Sequence, residues 1–121
     1  MRKLILIIES NELFRSTLID FVEINEFNVI SAEDGLSGLH LAKQFQPDLI
    51  ICEIHLSKLN GFDVLNELRK DSMIANIPFI VITTNIDPNF RNRAVQLGVN
   101  DYLIKPLELK KLLEIIAKAI E

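Results

Sequence analysis

The feature that most constrains this chain is an alternation. Five short apolar runs are separated by longer stretches with helical spacing. Residues 4–8 form a continuous Ile-rich run, as a strand buried on both faces requires. Residues 27–31, 49–52, 79–83 and 102–104 are similar or weaker runs. Between them, Phe14, Leu18, Phe21 and Val22 share one helical face, and Phe62, Leu65 and Leu68 share another. Near the end, Leu109, Leu112, Leu113, Ile116 and Ile120 form a third. Residues 36–45 and 89–97 carry weaker helical patterns. Asp34-Gly35 marks a turn before the second helix and Pro47 stops it. Gly98 follows the fourth helix where a left-handed cap belongs, and Pro88 and Pro106 lie close to helix starts.

Five strands alternating with five helices predict one α/β domain over residues 1–121. Right-handed crossovers put helices on both faces of a doubly wound parallel sheet, expected in the order 2-1-3-4-5. The composition agrees. Apolar residues make up 49% of the 121, enough for one core without disulfides or structural metal and too many for a disordered chain. The net charge of -4, with no basic cluster beyond Lys110-Lys111, argues against a nucleic-acid partner. Cys52 is the only cysteine, so no internal disulfide forms, and its apolar run marks it as a buried strand residue. The apolar stretch after Met1-Arg2-Lys3 is too short for a signal peptide or membrane span. A cytoplasmic protein without membrane contact is expected.

Sheets of this kind bind ligands beyond the carboxyl ends of their strands, where strands 1 and 3 diverge. Glu9 and Ser10 follow the first run, and Glu53, Ile54 and His55 the third. Thr83, Thr84 and Asn85 end the fourth, and Lys105-Pro106 follows the fifth. One rim thus gathers two carboxylates, hydroxyls and a lysine. A buried carboxylate needs a partner, and Lys105 is the one expected for Glu53 or Glu9. His40 has no ligand partner at suitable spacing, and His55 is expected as a loop residue beside the site.

Residues 47–61, PDLIICEIHLSKLNG, resemble the segment around the phosphoacceptor in the receiver domains of two-component response regulators. Residues 77–84, IPFIVITT, resemble the strand that carries the switch hydroxyl in that family, and residues 97–106, LGVNDYLIKP, the segment with the switch aromatic and the Lys-Pro pair. Residues 31–35, SAEDG, match the turn before the second helix. The resemblance spans the chain and implies a flavodoxin-like fold and a role in phosphorelay signalling. By position, Glu9 and Ser10 stand at the Mg²⁺-binding acidic pair and Glu53 at the phosphoacceptor aspartate. Thr83 stands at the switch hydroxyl, Tyr102 at the switch aromatic that rotates inward, and Lys105 with Pro106 at the Lys-Pro pair, whose peptide bond is often cis. Any metal would be held by Glu9, Glu53 and the backbone carbonyl of His55.

The departures from that pattern bear on the chemistry. Glu53 carries its carboxylate about 1.5 Å further out than aspartate, and a misplacement of roughly 1 Å can cost about a hundredfold in a positioned reaction. Ser10 removes one carboxylate, so Mg²⁺ is expected to bind weakly or not at all. Thr84 replaces a small residue and is expected to narrow access to the pocket. Ser57 replaces a common proline. The reading is a pseudo-receiver, not an enzyme, needing no cofactor. It is expected to meet a histidine kinase or downstream regulator through the face of the fourth helix, fifth strand and fifth helix, with a homodimer through the same face as a second option. A working Mg²⁺-dependent phosphoryl acceptor and a small-molecule sensor are the alternatives. A Glu53 that reaches Lys105 and Thr83 would fix an active-like state. One that does not pull Thr83 inward would leave an inactive scaffold.

Overall fold

The computed structural model describes residues 1–121. The chain alternates strictly: β1 (Leu4–Ile8), α1 (Glu12–Ile24), β2 (Asn28–Ala32), α2 (Gly35–Phe45), β3 (Leu49–Glu53), α3 (Gly61–Lys70), β4 (Phe79–Thr83), α4 (Pro88–Gln96), β5 (Asp101–Ile104) and α5 (Leu109–Ile120). All neighbouring strands are parallel, in the order β2-β1-β3-β4-β5. The expected topology is therefore the observed one. β2 starts one residue later than its apolar run and β5 one residue earlier. The difference is set by pairing with the neighbouring strand, which begins β2 at Asn28 opposite Leu4 and β5 at Asp101 opposite Ile80.

β1, β3 and β4 are central, which explains their unbroken apolar sequences. Ile5, Ile7, Leu49, Ile51, Ile80 and Ile82 face one way, onto Leu18 and Val22 of α1 and Leu112 and Ile116 of α5. Leu6, Ile8, Ile50, Cys52, Phe79 and Val81 face the other, onto α2, α3 and Ala94 of α4. Each such side chain contributes about 1.5–3 kcal/mol by leaving water.

Short polar side chains start four of the helices. Asn11 accepts from the N–H of Phe14, Asp34 from Ser37, Asn60 from Asp63 and Asp87 from Asn89. These are amides that a helix start otherwise leaves unpaired. Pro88 is the first residue of α4, whereas Pro106 sits in the loop before α5, after a cis Lys105-Pro106 bond. Gly98 has φ of 86° just past α4, the left-handed cap expected of it. Gly61 is required by close approach, since a Cβ there would lie 2.5 Å from the Glu53 carbonyl oxygen. Its absence lets α3 start directly against the end of β3.

At the opposite end of the sheet, Arg69 of α3 gathers three carbonyls. Its Nη1 donates to Ala75 and Ile77, both at 2.9 Å, and its Nη2 to Gly98 at 3.1 Å. No helix is long and apolar enough to cross a membrane.

Candidate functional site

The carboxyl ends of β1, β3, β4 and β5 bring Glu9, Glu53, Thr83 and Lys105 together. Glu9 and Glu53 are buried, with 1% and 5% of their surfaces exposed, as few carboxylates are without a partner. Lys105 supplies it to both. Its Nζ lies 2.5 Å from Glu9 Oε1 and 3.1 Å from Glu53 Oε1. The ammonium also lies 4.3 Å from the centre of the Phe14 ring, a cation–π contact from α1. The backbone N–H of Lys105 donates to the Thr83 carbonyl and fixes where its side chain begins.

The second oxygens are also engaged. Glu9 Oε2 accepts from the N–H of Asn11 at 3.1 Å. Glu53 Oε2 accepts from Ile54 at 2.6 Å and from His55 at 3.3 Å. The Glu53 carboxylate thus curls back onto the two peptides that follow it. Arg15 adds positive charge behind Glu9, its Nη1 donating to the Glu9 carbonyl at 2.7 Å.

Thr83 and Tyr102 belong to a different network. Thr83 Oγ1 accepts from the N–H of Asn85 at 3.2 Å, and the Tyr102 hydroxyl donates to the Asn85 carbonyl at 3.3 Å. The Asn85 side chain lies 3.3 Å from His55 Nε2 and accepts from the N–H of Asp87. The Tyr102 ring is turned in and buried, with the Arg91 guanidinium 5.5 Å from its centre. Burial raises the Tyr102 pKa, and the charge of Glu53 raises it further. Burial pushes the Cys52 thiol well up, with Glu53 and Glu9 adding to the shift, so it stays a neutral core residue.

Several expectations change at this point. Glu53 reaches Lys105 but makes no hydrogen bond to Thr83, whose hydroxyl is held by the β4–α4 turn. Lys105 serves both glutamates rather than one. Ser10 is exposed. Thr84 is exposed too and lines a cleft with Phe14, Thr17 and Lys105 that does not include Glu53. None of the four surface clefts is lined by Glu9, Glu53 or Thr83, and the one that reaches the rim does so at Thr84 and Lys105. His55 is the expected exposed loop residue, with its ring 5.9 Å from that of Phe90. His40 is exposed on α2. Ser57 lies in the turn where Lys58 takes φ of 68°, and Lys58 reaches Asp34 at 3.8 Å. Asn85, Phe14, Arg15 and Asn11 received no site role from the sequence, where Phe14 stood only on the apolar face of the first helix. Asn11 alone carries a recognisable signal, as a capping residue before α1.

A magnesium ion does not fit this arrangement. It sits about 2.1 Å from its oxygens and takes one or two carboxylates plus waters. Here each of the four carboxylate oxygens already faces an N–H or ammonium donor, and the two that face each other share the Lys105 nitrogen.

A doubly wound sheet with carboxylates after β1 and β3, a hydroxyl after β4 and a lysine after β5 defines a flavodoxin-like signal receiver. The chain belongs to the response regulator receiver domain family, which residues 5–117 match. It is 32% identical over 116 residues to the polar-differentiation response regulator DivK of Brucella anthropi, covering 96% of this chain and 94% of the relative. The Vibrio cholerae chemotaxis protein CheY4 shares the fold with a TM-score of 0.91 at 21% identity, over 98% of this chain and 99% of that one. The receiver domain of a Pseudomonas aeruginosa sensor histidine kinase superposes with a TM-score of 0.91 at 26% identity. The match covers 99% of this chain and 98% of that one, which holds magnesium in its active-site cleft. The chain is thus a receiver domain of two-component signalling, a regulatory class that works with histidine kinases and downstream partners.

Proposed function

We propose that this receiver domain is a phosphorylation-independent protein-interaction module. One observation carries the reading: Lys105 is bonded to both Glu9 and Glu53, so the carboxylate at the phosphoacceptor position is paired and closed off. In-line attack needs a free carboxylate oxygen aimed at a phosphorus, with a cation beside it. Glu53 presents one oxygen to an ammonium and the other to two peptide N–H groups. The buried Tyr102 supports a resting surface with the aromatic already turned in, the orientation that the family resemblance links to a remodelled face. The partner is a histidine kinase or downstream regulator meeting α4, β5 and α5, and a second copy of the chain is the other candidate for that face. The domain works in the cytoplasm, needs no magnesium and turns over no substrate.

Acetyl phosphate with Mg²⁺, followed by intact mass measurement, tests this. The wild type is expected to gain no mass. Phosphate gained by the wild type and lost in Glu53→Gln overturns the reading. It would establish the second one, a working phosphoryl acceptor, which the magnesium-holding Pseudomonas relative favours.

A further inference from the structure

We infer that the free edge of β2 is a docking edge for an extended basic segment of a partner protein, which pairs with it as an added strand. β2 and β5 are the outer strands of the sheet. The Asn28 N–H donates to the Lys3 carbonyl, and the Ala32 carbonyl accepts from the Glu9 N–H. Both bonds run to the β1 side. Successive residues of a strand direct their backbone groups to opposite sides. Asn28, Ile30 and Ala32 therefore serve β1, while Val29 and Ser31 direct their N–H and C=O groups away from it. Neither residue's backbone bonds elsewhere in the chain. The other outer strand is guarded. Its Tyr102 N–H donates to the Asp101 carboxylate at 2.8 Å, and Lys105 and Pro106 follow it directly. β2 has the sequence NVISA and pairs with β1 without a bulge, so it carries none of the charges, prolines or bulges that close an edge. Such an edge is a template for a strand from another chain.

Charge selects the partner. Exposed Glu26 lies just before β2, and exposed Glu33 directly follows it. Glu23 is exposed in the last turn of α1, the helix packed over β2. Against them stands Lys3, beside the first residue of the strand. Lysines or arginines at alternate positions of an added strand would meet these carboxylates, and acidic residues would be repelled. A second copy of the chain fits less well, since pairing β2 with β2 sets the glutamates of both copies alongside one another. A cleft of about 480 Å³ opens at the carboxyl end of the strand and gives room for a side chain of the partner. Ser31, Glu33, His40 and Arg15 are among the residues lining it, and Arg15 is already turned to the Glu9 carbonyl. This edge lies across the sheet from the face of α4, β5 and α5, and docking there does not involve Glu53.

The probe is the end-capped peptide Lys-Val-Lys-Val-Lys-Val-Lys, with Glu-Val-Glu-Val-Glu-Val-Glu as its control. Amide chemical shifts and hydrogen exchange of the full chain read its binding. In the free protein, Val29 and Ser31 are expected to exchange fast and Ile30 slowly. The Lys peptide is expected to slow Val29 and Ser31 at least roughly tenfold. It is expected to bind about tenfold more tightly than the Glu peptide, the scale of a few cross-strand charge pairs. Ser31→Pro removes an outward N–H without touching the β1 ladder and is expected to lose the peptide. Val29→Pro does the same at the other outward position and replaces that variant if it does not fold. Glu26→Lys combined with Glu33→Lys is expected to reverse the preference between the two peptides. The inference falls if the Lys peptide leaves the Val29 and Ser31 amides unshifted, if both peptides bind alike, or if the proline variants bind as the wild type does. Protection of those amides that grows with protein concentration, without peptide, would assign the edge to a second copy and sink the inference equally.

Discussion

The rim of this domain divides into a charged half and a neutral half, and the two are held by different means. In the charged half, Glu9, Lys105 and Glu53 bond to one another through their side chains. In the neutral half, Thr83 and Tyr102 each bond to the backbone of Asn85 and not to the acid beside them. The position of the switch pair is thus set by the β4–α4 turn, and the charge state of Glu53 reaches it only through space. A phosphoryl group would join the halves, since it brings three acceptor oxygens and more charge than one carboxylate. Glu53 has two oxygens, and both are occupied.

This division predicts unequal sensitivity. Lys105→Met leaves two buried carboxylates without a counter-charge and is expected to cost about 3–5 kcal/mol in urea unfolding, the usual penalty for breaking a buried pair. Thr83→Val and Tyr102→Phe each remove one hydrogen bond to Asn85 and are expected to cost about 0.5–1.5 kcal/mol. Combining Lys105→Met with Tyr102→Phe is expected to give the sum of the single losses, as for sites without shared partners. A coupling well above about 0.5 kcal/mol would mean that the halves act as one network.

The smallest effect concerns the through-space contact. Tyr102 is the only tyrosine, so its phenolate absorbance titrates without interference. Its pKa is raised by burial first and by Glu53 second, and Glu53→Gln is expected to move it back toward the ordinary tyrosine value. A raised pKa favours the neutral phenol in the folded state. The stability tied to it is complete below the unfolded-state pKa and is lost as pH rises through the folded-state pKa. In Glu53→Gln that alkaline window narrows, and the loss within it shrinks. An unmoved titration would show that no charge crosses the rim.

The fold was legible because each central strand needs an unbroken apolar sequence and each helix a stripe, and both survive in the text of the chain. The ends of β2 and β5 were not, because pairing with a neighbour decides them and a one-residue shift leaves the pattern nearly unchanged. At the site, the pairing of Lys105 with a glutamate followed from the cost of burying a carboxylate. The sharing of Lys105 by both glutamates did not follow, because it depends on how far two side chains extend in space. The hydroxyl of Thr83 turned toward Asn85 for a similar reason. A turn's backbone conformation decides which N–H is near, and nothing in the residues Thr83-Thr84-Asn85 spells that out. Phe14 and Arg15 read as ordinary helix residues until α1 is laid beside the rim.

The three carbonyls held by Arg69 have a mechanical consequence. They fasten the far end of α4, at Gly98, to the end of α3 and the segment entering β4, while the near end begins at Asp87 beside the rim. The anchor at the far end lies remote from the site. Both ends of α4 are thus tied to the strands beneath it, the near one through Asn85 and the far one through Arg69.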